Sequence, residues 1–226
     1  MSDVVDFPPR KGRGGPPAKP PAAPQPSVVA LIKKRFLQPD RRRREMTGGA
    51  FEIVTNGNVW HSPIDTRRRP SEQDVQRARE LVKRLPPDDF ILESERMFMD
   101  AVHIPATPLE VGMIAAWIVD SFPNRSDAAG KTFVDSMELV LEDSEEAFSA
   151  YTLAAVARHI IETKKFLPAI SEVLSEARRL HRAFAEAEEI TGVLWAMRDA
   201  AEYTLFRIGE GSGEKYGASD VLEAPF

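Results

Sequence analysis

The chain has 226 residues, enough for one ordinary domain with tails or for two small ones, and 42% of them are apolar, enough for a core. Cysteine is absent, which excludes a disulfide framework, a thiolate metal site and a cysteine nucleophile, and makes a reducing cytoplasm the natural compartment. Charge is unevenly placed: residues 1–70 carry 14 Lys and Arg against 6 Asp and Glu, whereas the remainder carries 16 against 29. A basic arm therefore precedes an acidic body. Such an arm is expected either to engage nucleic acid or an acidic protein surface, or to fold back onto its own domain. The opening MSDVVDFPPRKGRGG lacks the apolar stretch of a signal peptide, and apolar runs such as Ile114 to Val119 fall far short of the ~20 residues of a membrane span. A soluble, cytoplasmic protein is expected.

Residues 1–26 hold eight prolines and three glycines with few bulky apolar side chains, too little to offset the ~1–2 kcal/mol of backbone entropy lost per ordered residue. Residues 1–49 are accordingly expected to be a disordered, Pro-rich basic arm. Within it, Val28, Val29, Leu31, Ile32 and Phe36 line one side of a short amphipathic piece. About ten residues make a marginal helix in water, so this piece should fold only on docking to a partner groove, a membrane surface or the parent domain. A protein partner is favoured, which makes Val28, Leu31, Ile32 and Phe36 candidate partner-binding residues. Lys33, Lys34 and Arg35, the run Arg41, Arg42, Arg43 and Arg44, and the run Arg67, Arg68 and Arg69 are candidate nucleic-acid contacts. Guanidinium forks match phosphate oxygens and release counterions without choosing a sequence. Between the runs, Asn56-Gly57 marks a β-hairpin over residues 51–61, with 50–70 a hairpin and linker. Phe51, Ile53 and Trp60 would either lean on the body or, for Phe51 and Trp60, stack single-stranded bases.

From Ser71 to about residue 208 the pattern is helical, and the expected fold is an all-α bundle of about five to seven helices. Ser71 with Asp74 forms a capping signal for a helix that stops before Pro86-Pro87. Further helices are expected over Asp88 to about Val102, Leu109 to Phe122 and Asp127 to Leu141. Phe148, Thr152, Val156, His159 and Ile160 then share one face, as do Ile170, Val173, Leu174, Ala177, Leu180 and Phe184. Two helices should meet across Thr163 to Leu167, with Pro168 in the first turn of the second and with Phe166 and Leu167 stapling its start. Beyond Ala177, one heptad seam reads Ala177, Phe184, Thr191, Arg198 and Leu205, and the other Leu180, Ala187, Leu194, Ala201 and Ile208. Thr191 and Arg198 spoil the first seam, and Gly192, which interrupts the apolar pattern, costs about 1 kcal/mol inside a helix, so helical-hairpin packing is expected in place of a coiled coil. Residues 209–226 are expected to be a disordered tail.

No catalytic centre emerges, and neither cofactor nor metal is expected. Gly130-Lys131-Thr132 lacks the glycine that a phosphate loop needs five residues earlier, where Arg125 stands, and a helix replaces the required strand. His61, His103, His159 and His181 are scattered, and the acidic clusters 142–146 and 186–189 read as solvated faces. A DNA-reading helix-turn-helix is disfavoured because Glu172 and Glu176 open the second helix, where phosphates would crowd them.

The string Lys165, Phe166, Leu167, Pro168, Ala169, Ile170, Ser171, Glu172 and Val173, with SFPN at Ser121 to Asn124 upstream, resembles the phage replicative-helicase loader and inhibitor family over roughly residues 109–179. The resemblance implies a small helical domain of the ATP-free loader type, binding a replicative helicase or an initiator protein without chemistry of its own. It adds Lys164, Lys165 and Phe166 as candidate partner contacts. In that family a flexible segment engages the helicase, and here it corresponds either to the N-terminus or to residues after Gly209. The competing expectation is a non-enzymatic DNA-binding regulatory or structural protein that uses its basic arm alone.

Overall fold

The computed structural model describes residues 27–46, 64–123, 126–142 and 146–209. The hairpin expected at 51–61, the leader 1–26 and the tail from residue 210 lie outside the described residues. Among those described there are eight helices and no strand: α1 (Val28–Phe36), α2 (Gln38–Met46), α3 (Glu72–Arg84), α4 (Asp88–His103), α5 (Pro108–Asp120), α6 (Asp127–Glu142), α7 (Ala150–Thr163) and α8 (Ile170–Arg207). Six lie within 71–208, as the pattern implied; the arm supplies the other two. No single helix among the described residues is long and apolar enough to cross a membrane.

Local chemistry sets the starts. The Ser71 hydroxyl accepts from the Asp74 N–H, and the Asp74 carboxylate accepts from the Ser71 N–H in return. Thr107 and Glu110 repeat this exchange at α5, where Pro108 occupies a first-turn position that needs no N–H donor. At α7 the Ser149 hydroxyl accepts from the Thr152 N–H and donates to the Ala101 carbonyl of α4, so one buried group caps one helix and ties down the end of another. At α8 only half of such a box exists, the Glu172 carboxylate accepting from the Ala169 N–H at 3.0 Å.

Helix α7 lies in the middle. From Thr152 to Ala157 every residue is buried, which for a helix means cover on all sides. Neighbours from α5, α8, α4, α1 and α2 supply it. Helix α8 is the longest element, and α4 and α3 pack along it most extensively. Phe98 of α4 stacks on Phe184 of α8 at a centroid distance of 6.4 Å, and both rings are fully buried. Further along, Ile64, Ala78 and Ala201 form a second small cluster under α3.

Several expectations are corrected. Helix α8 runs for 38 residues through Gly192, which does not interrupt it. Its buried stripe passes through Ala177, Leu180, Phe184, Ala187, Thr191 and Leu194, then steps by three to Met197 and Ala200, which shifts Arg198 to the edge of the seam. Thr191 is tolerated because its hydroxyl donates to the Ala187 carbonyl one turn back. Arg198 is useful there: it pairs with Asp88 and Glu202 and donates to the Pro86 carbonyl at 2.8 Å, bracing the α3–α4 turn. Pro168 is buried but precedes the cap Ala169, so it stands outside the helix and not in its first turn. Phe166 staples nothing, being 74% exposed; only Leu167 reaches the core.

The boundary of the arm also moves. Residues 28–46 form α1 and α2 packed on the body, so they belong to the folded unit and not to a disordered arm reaching residue 49. The amphipathic piece docks on its parent domain, one of the three surfaces considered for it. Ile32 and Phe36 join the main core, with Phe36 meeting Tyr151 of α7 edge to face at 5.6 Å.

An added Cβ at Gly192 would meet no atom within 4 Å. Gly192→Ala is therefore expected to stabilise the protein by about 0.5–1 kcal/mol in urea unfolding, since the helix continues through this position and the unfolded chain loses freedom. A loss of stability would indicate that α8 bends there.

Candidate functional site

The arginines proposed as phosphate contacts fall into distinct environments. Arg42 is largely covered: its guanidinium sits 4.2 Å from the centre of the Phe90 ring and reaches Glu93 at 2.8 Å, both on α4. It anchors the arm. Asp40 is buried at the start of α2 and faces Arg43 at 3.4 Å, Arg44 at 3.3 Å and Arg158 of α7 at 3.3 Å. Arg41 is exposed and pairs along its own helix with Glu45 at 2.9 Å, a surface contact of small energetic weight. On α1, Lys33 lies near the Trp117 ring of α5 and Arg35 reaches Glu110 at 3.5 Å while remaining exposed; Lys34 is exposed. Arg68 pairs with Asp74, the exposed Arg67 donates its N–H to Asp65, and Arg69 is exposed. The Arg67–Arg69 run is thus tied to α3, away from the other run, and Arg207 of α8 holds its backbone through the Thr66 and Arg68 carbonyls.

Around Asp40 the arm builds a polar cavity of about 210 Å³ between α2, α7 and α8. Arg43, Arg44, Arg158, His159 and Arg179 line it together with Asp40 and Glu162, over an apolar floor of Ala155 and Leu180. Glu176 stands at its edge, bonded by Arg179 and 3.4 Å from His159. The Arg179 hydrogen bond holds the Glu176 carboxyl below its usual range, and the same bond pushes the guanidinium up. Glu172 is likewise lowered, chiefly by Lys164, which reaches it at 2.8 Å. Asp74 is lowered as well, mainly by the Ser71 hydroxyl. Arg158 and Arg179 were not singled out in the sequence, and His159 was read only as a member of an apolar face and as one of the scattered histidines. The available signal was Asp40 itself, a lone acid opening a run of four arginines.

The α7–α8 connection passes the same end of the helix pair. Lys164 is engaged with Glu172, whereas Lys165 and Phe166 are exposed. A second concavity, of about 430 Å³, opens on another side, between α1, α5 and α6. Val28, Leu109, Met113, Ala116 and Trp117 give it an apolar lining, and Asp120 and Glu138 contribute acidic groups. Val28, Leu31 and Leu109 are all substantially exposed. Of the apolar positions proposed for partner binding, Val28 and Leu31 therefore face outward, whereas Ile32 and Phe36 are consumed by the chain's own core.

The remaining histidines do not converge. His103 pairs with Glu188 at 3.1 Å, and His181 packs edge-on against Phe148. Among the described residues no three metal-ligating side chains come together. His61, Phe51 and Trp60 lie outside the described residues. In comparisons with known proteins, no family, no curated protein and no solved structure matches this chain.

Asp40→Ala should remove the buried carboxylate that Arg43, Arg44 and Arg158 share, a loss of about 3 kcal/mol. Limited trypsin digestion offers a direct readout: cleavage within Arg41–Arg44 should accelerate at least tenfold relative to the parent protein. Unchanged cleavage would mean that Asp40 does not hold the arm.

Proposed function

We propose that the chain is a non-enzymatic adaptor of phage-type DNA replication that binds a hexameric replicative helicase and loads or regulates it. The observation that carries this reading is Phe166. Within the KFLPAISEV string that resembles the helicase-loader family, this ring is 74% exposed and contributes nothing to the core. An aromatic side chain beside Lys165 on a short connection between two rigid helices is an anchor of the kind that dominates protein interfaces. Val28, Leu31 and Leu109 offer a second apolar contact region on the body. Two separated contact regions on one rigid body suit an adaptor, because holding two partners together raises the effective concentration of each at the other.

A second reading, a DNA-binding regulatory protein, is favoured by one specific observation: Lys33, Lys34, Arg35 and Arg41 are exposed on the two docked arm helices. These side chains could meet a phosphate backbone without disturbing the fold.

Capture on immobilised full-length protein separates the readings. The adaptor reading predicts that purified replicative helicase of the same host is retained, and that Phe166→Ser lowers retention at least tenfold while thermal melting is unchanged. Retention of DNA but of no helicase would overturn it in favour of the regulator.

A further inference from the structure

We propose that the apolar concavity between α1, α5 and α6 is the docking site of the chain's own Pro-rich leader, residues 1–26, held there by an acidic side chain that meets the leader's cations. The contact joins two parts of one chain, so it goes beyond the adaptor reading and does not rest on it.

The concavity suits an apolar segment that carries positive charge. Its lining is apolar apart from Asp120 and Glu138, so both charged residues that line it are acidic. Gly112 on α5 sets the position of Glu138: a Cβ added there would run into the Glu138 Oε1, so the glycine is what gives that carboxylate room against the helix. Glu138 makes no hydrogen bond or ion pair among the described residues. The nearby Lys33 ammonium lies 5.9 Å from the centre of the Trp117 ring and leaves Glu138 to whatever enters the concavity. On the rim, Val28 and Leu109 are 52% and 73% exposed, apolar surface that a docked segment would remove from water.

Connectivity, charge and composition choose the leader as the occupant. Ser27 caps α1, and Val28 and Val29 line the concavity, so the leader joins the fold at its rim. The stretch between Arg13 and Ser27 spans up to about 45 Å at ~3.3 Å per residue, against about 20 Å for the whole of α5, so length does not keep the leader from any part of the concavity. From Phe7 to Pro26 the leader carries Arg10, Lys11, Arg13 and Lys19 and no acidic residue, which complements Glu138. Pro-rich segments pack into apolar grooves with an aromatic wall, here Trp117, and proline has little side-chain freedom to lose on docking. The tail fits less well. Residues 210–226 carry Glu210, Glu214, Asp220 and Glu223 against Lys215, and they leave α8 beside α3, where Arg207 holds the Thr66 and Arg68 carbonyls. A second copy seated face to face would set one Glu138 against another, a like-charge contact.

Photo-crosslinking in the full-length protein tests the site. With p-benzoylphenylalanine in place of the exposed Leu109, irradiation of a dilute solution should join this position to residues 1–26 of the same chain, as read by peptide mass spectrometry. The same probe in place of Leu92 on α4, outside the concavity, should not capture the leader. Glu138→Lys should lower the yield from position 109 at least fivefold while thermal melting is unchanged, since the side chain is exposed. Adding Arg10→Glu, Lys11→Glu and Arg13→Glu to that variant should restore the yield. Capture of the tail or of a second copy in place of the leader, equal capture from position 92, or no crosslink at all overturns the proposal. So does a yield that Glu138→Lys leaves unchanged, or a loss that the charge exchange fails to rescue.

Discussion

Helix α7 is buried around its whole circumference from Thr152 to Ala157, and the rest of the arrangement follows from the need to cover it. A helix with one apolar stripe can sit at the edge of a bundle, but one buried on every face from Thr152 to Ala157 must have neighbours on all sides. Helices α4, α5 and α8 cover part of that surface. The remainder is closed by α1 and α2, drawn from a segment whose composition reads as a solvated arm. Ile32 and Phe36 supply apolar cover, and Asp40 meets Arg158 at the edge of α7. The basic segment is thus structural first, and what it offers to a partner is the part left over after docking.

That division of labour gives the surface its character. Arg42 is spent on Phe90 and Glu93, while Arg43 and Arg44 are held by Asp40. Four consecutive arginines on one helix cannot all face solvent, because successive residues point about 100° apart. Arg42 meets a carboxylate and an aromatic face of the acidic body, and Arg43 and Arg44 the Asp40 carboxylate of their own helix. The same segregation concentrates positive charge between α2, α7 and α8, leaves Lys34 and Arg41 outside, and places an apolar concavity beside α1. The described body thus carries a basic face, an apolar concavity and an exposed phenylalanine.

Much of the body was legible in the sequence because its signals are local. The Ser71–Asp74 cap and the Pro86-Pro87 stop act within a few residues, and the matching helices agree with expectation to within one or two positions. The misreadings share a different cause. Tolerance of Arg198 within α8 and docking of α1 depend on partners far away in the chain, such as Pro86 for Arg198 and Tyr151 for Phe36. Phe166 was misread because adjacency to Pro168 suggested a staple, whereas Leu167 alone takes the inward position. Of the candidate site, Val28, Leu31, Lys165, Phe166 and the arm cations could be named in advance. Arg158 and Arg179 could not, since only the fold brings them to Asp40.

Amide hydrogen exchange on the intact protein addresses the cover of α7 most directly. If α1 closes that helix, amides of α1 around Ile32 to Phe36 should exchange at least a hundredfold more slowly than in an unfolded chain, in step with their neighbours on α7. Exchange of those amides at the unfolded rate, while α7 and α8 stay protected, would contradict the account.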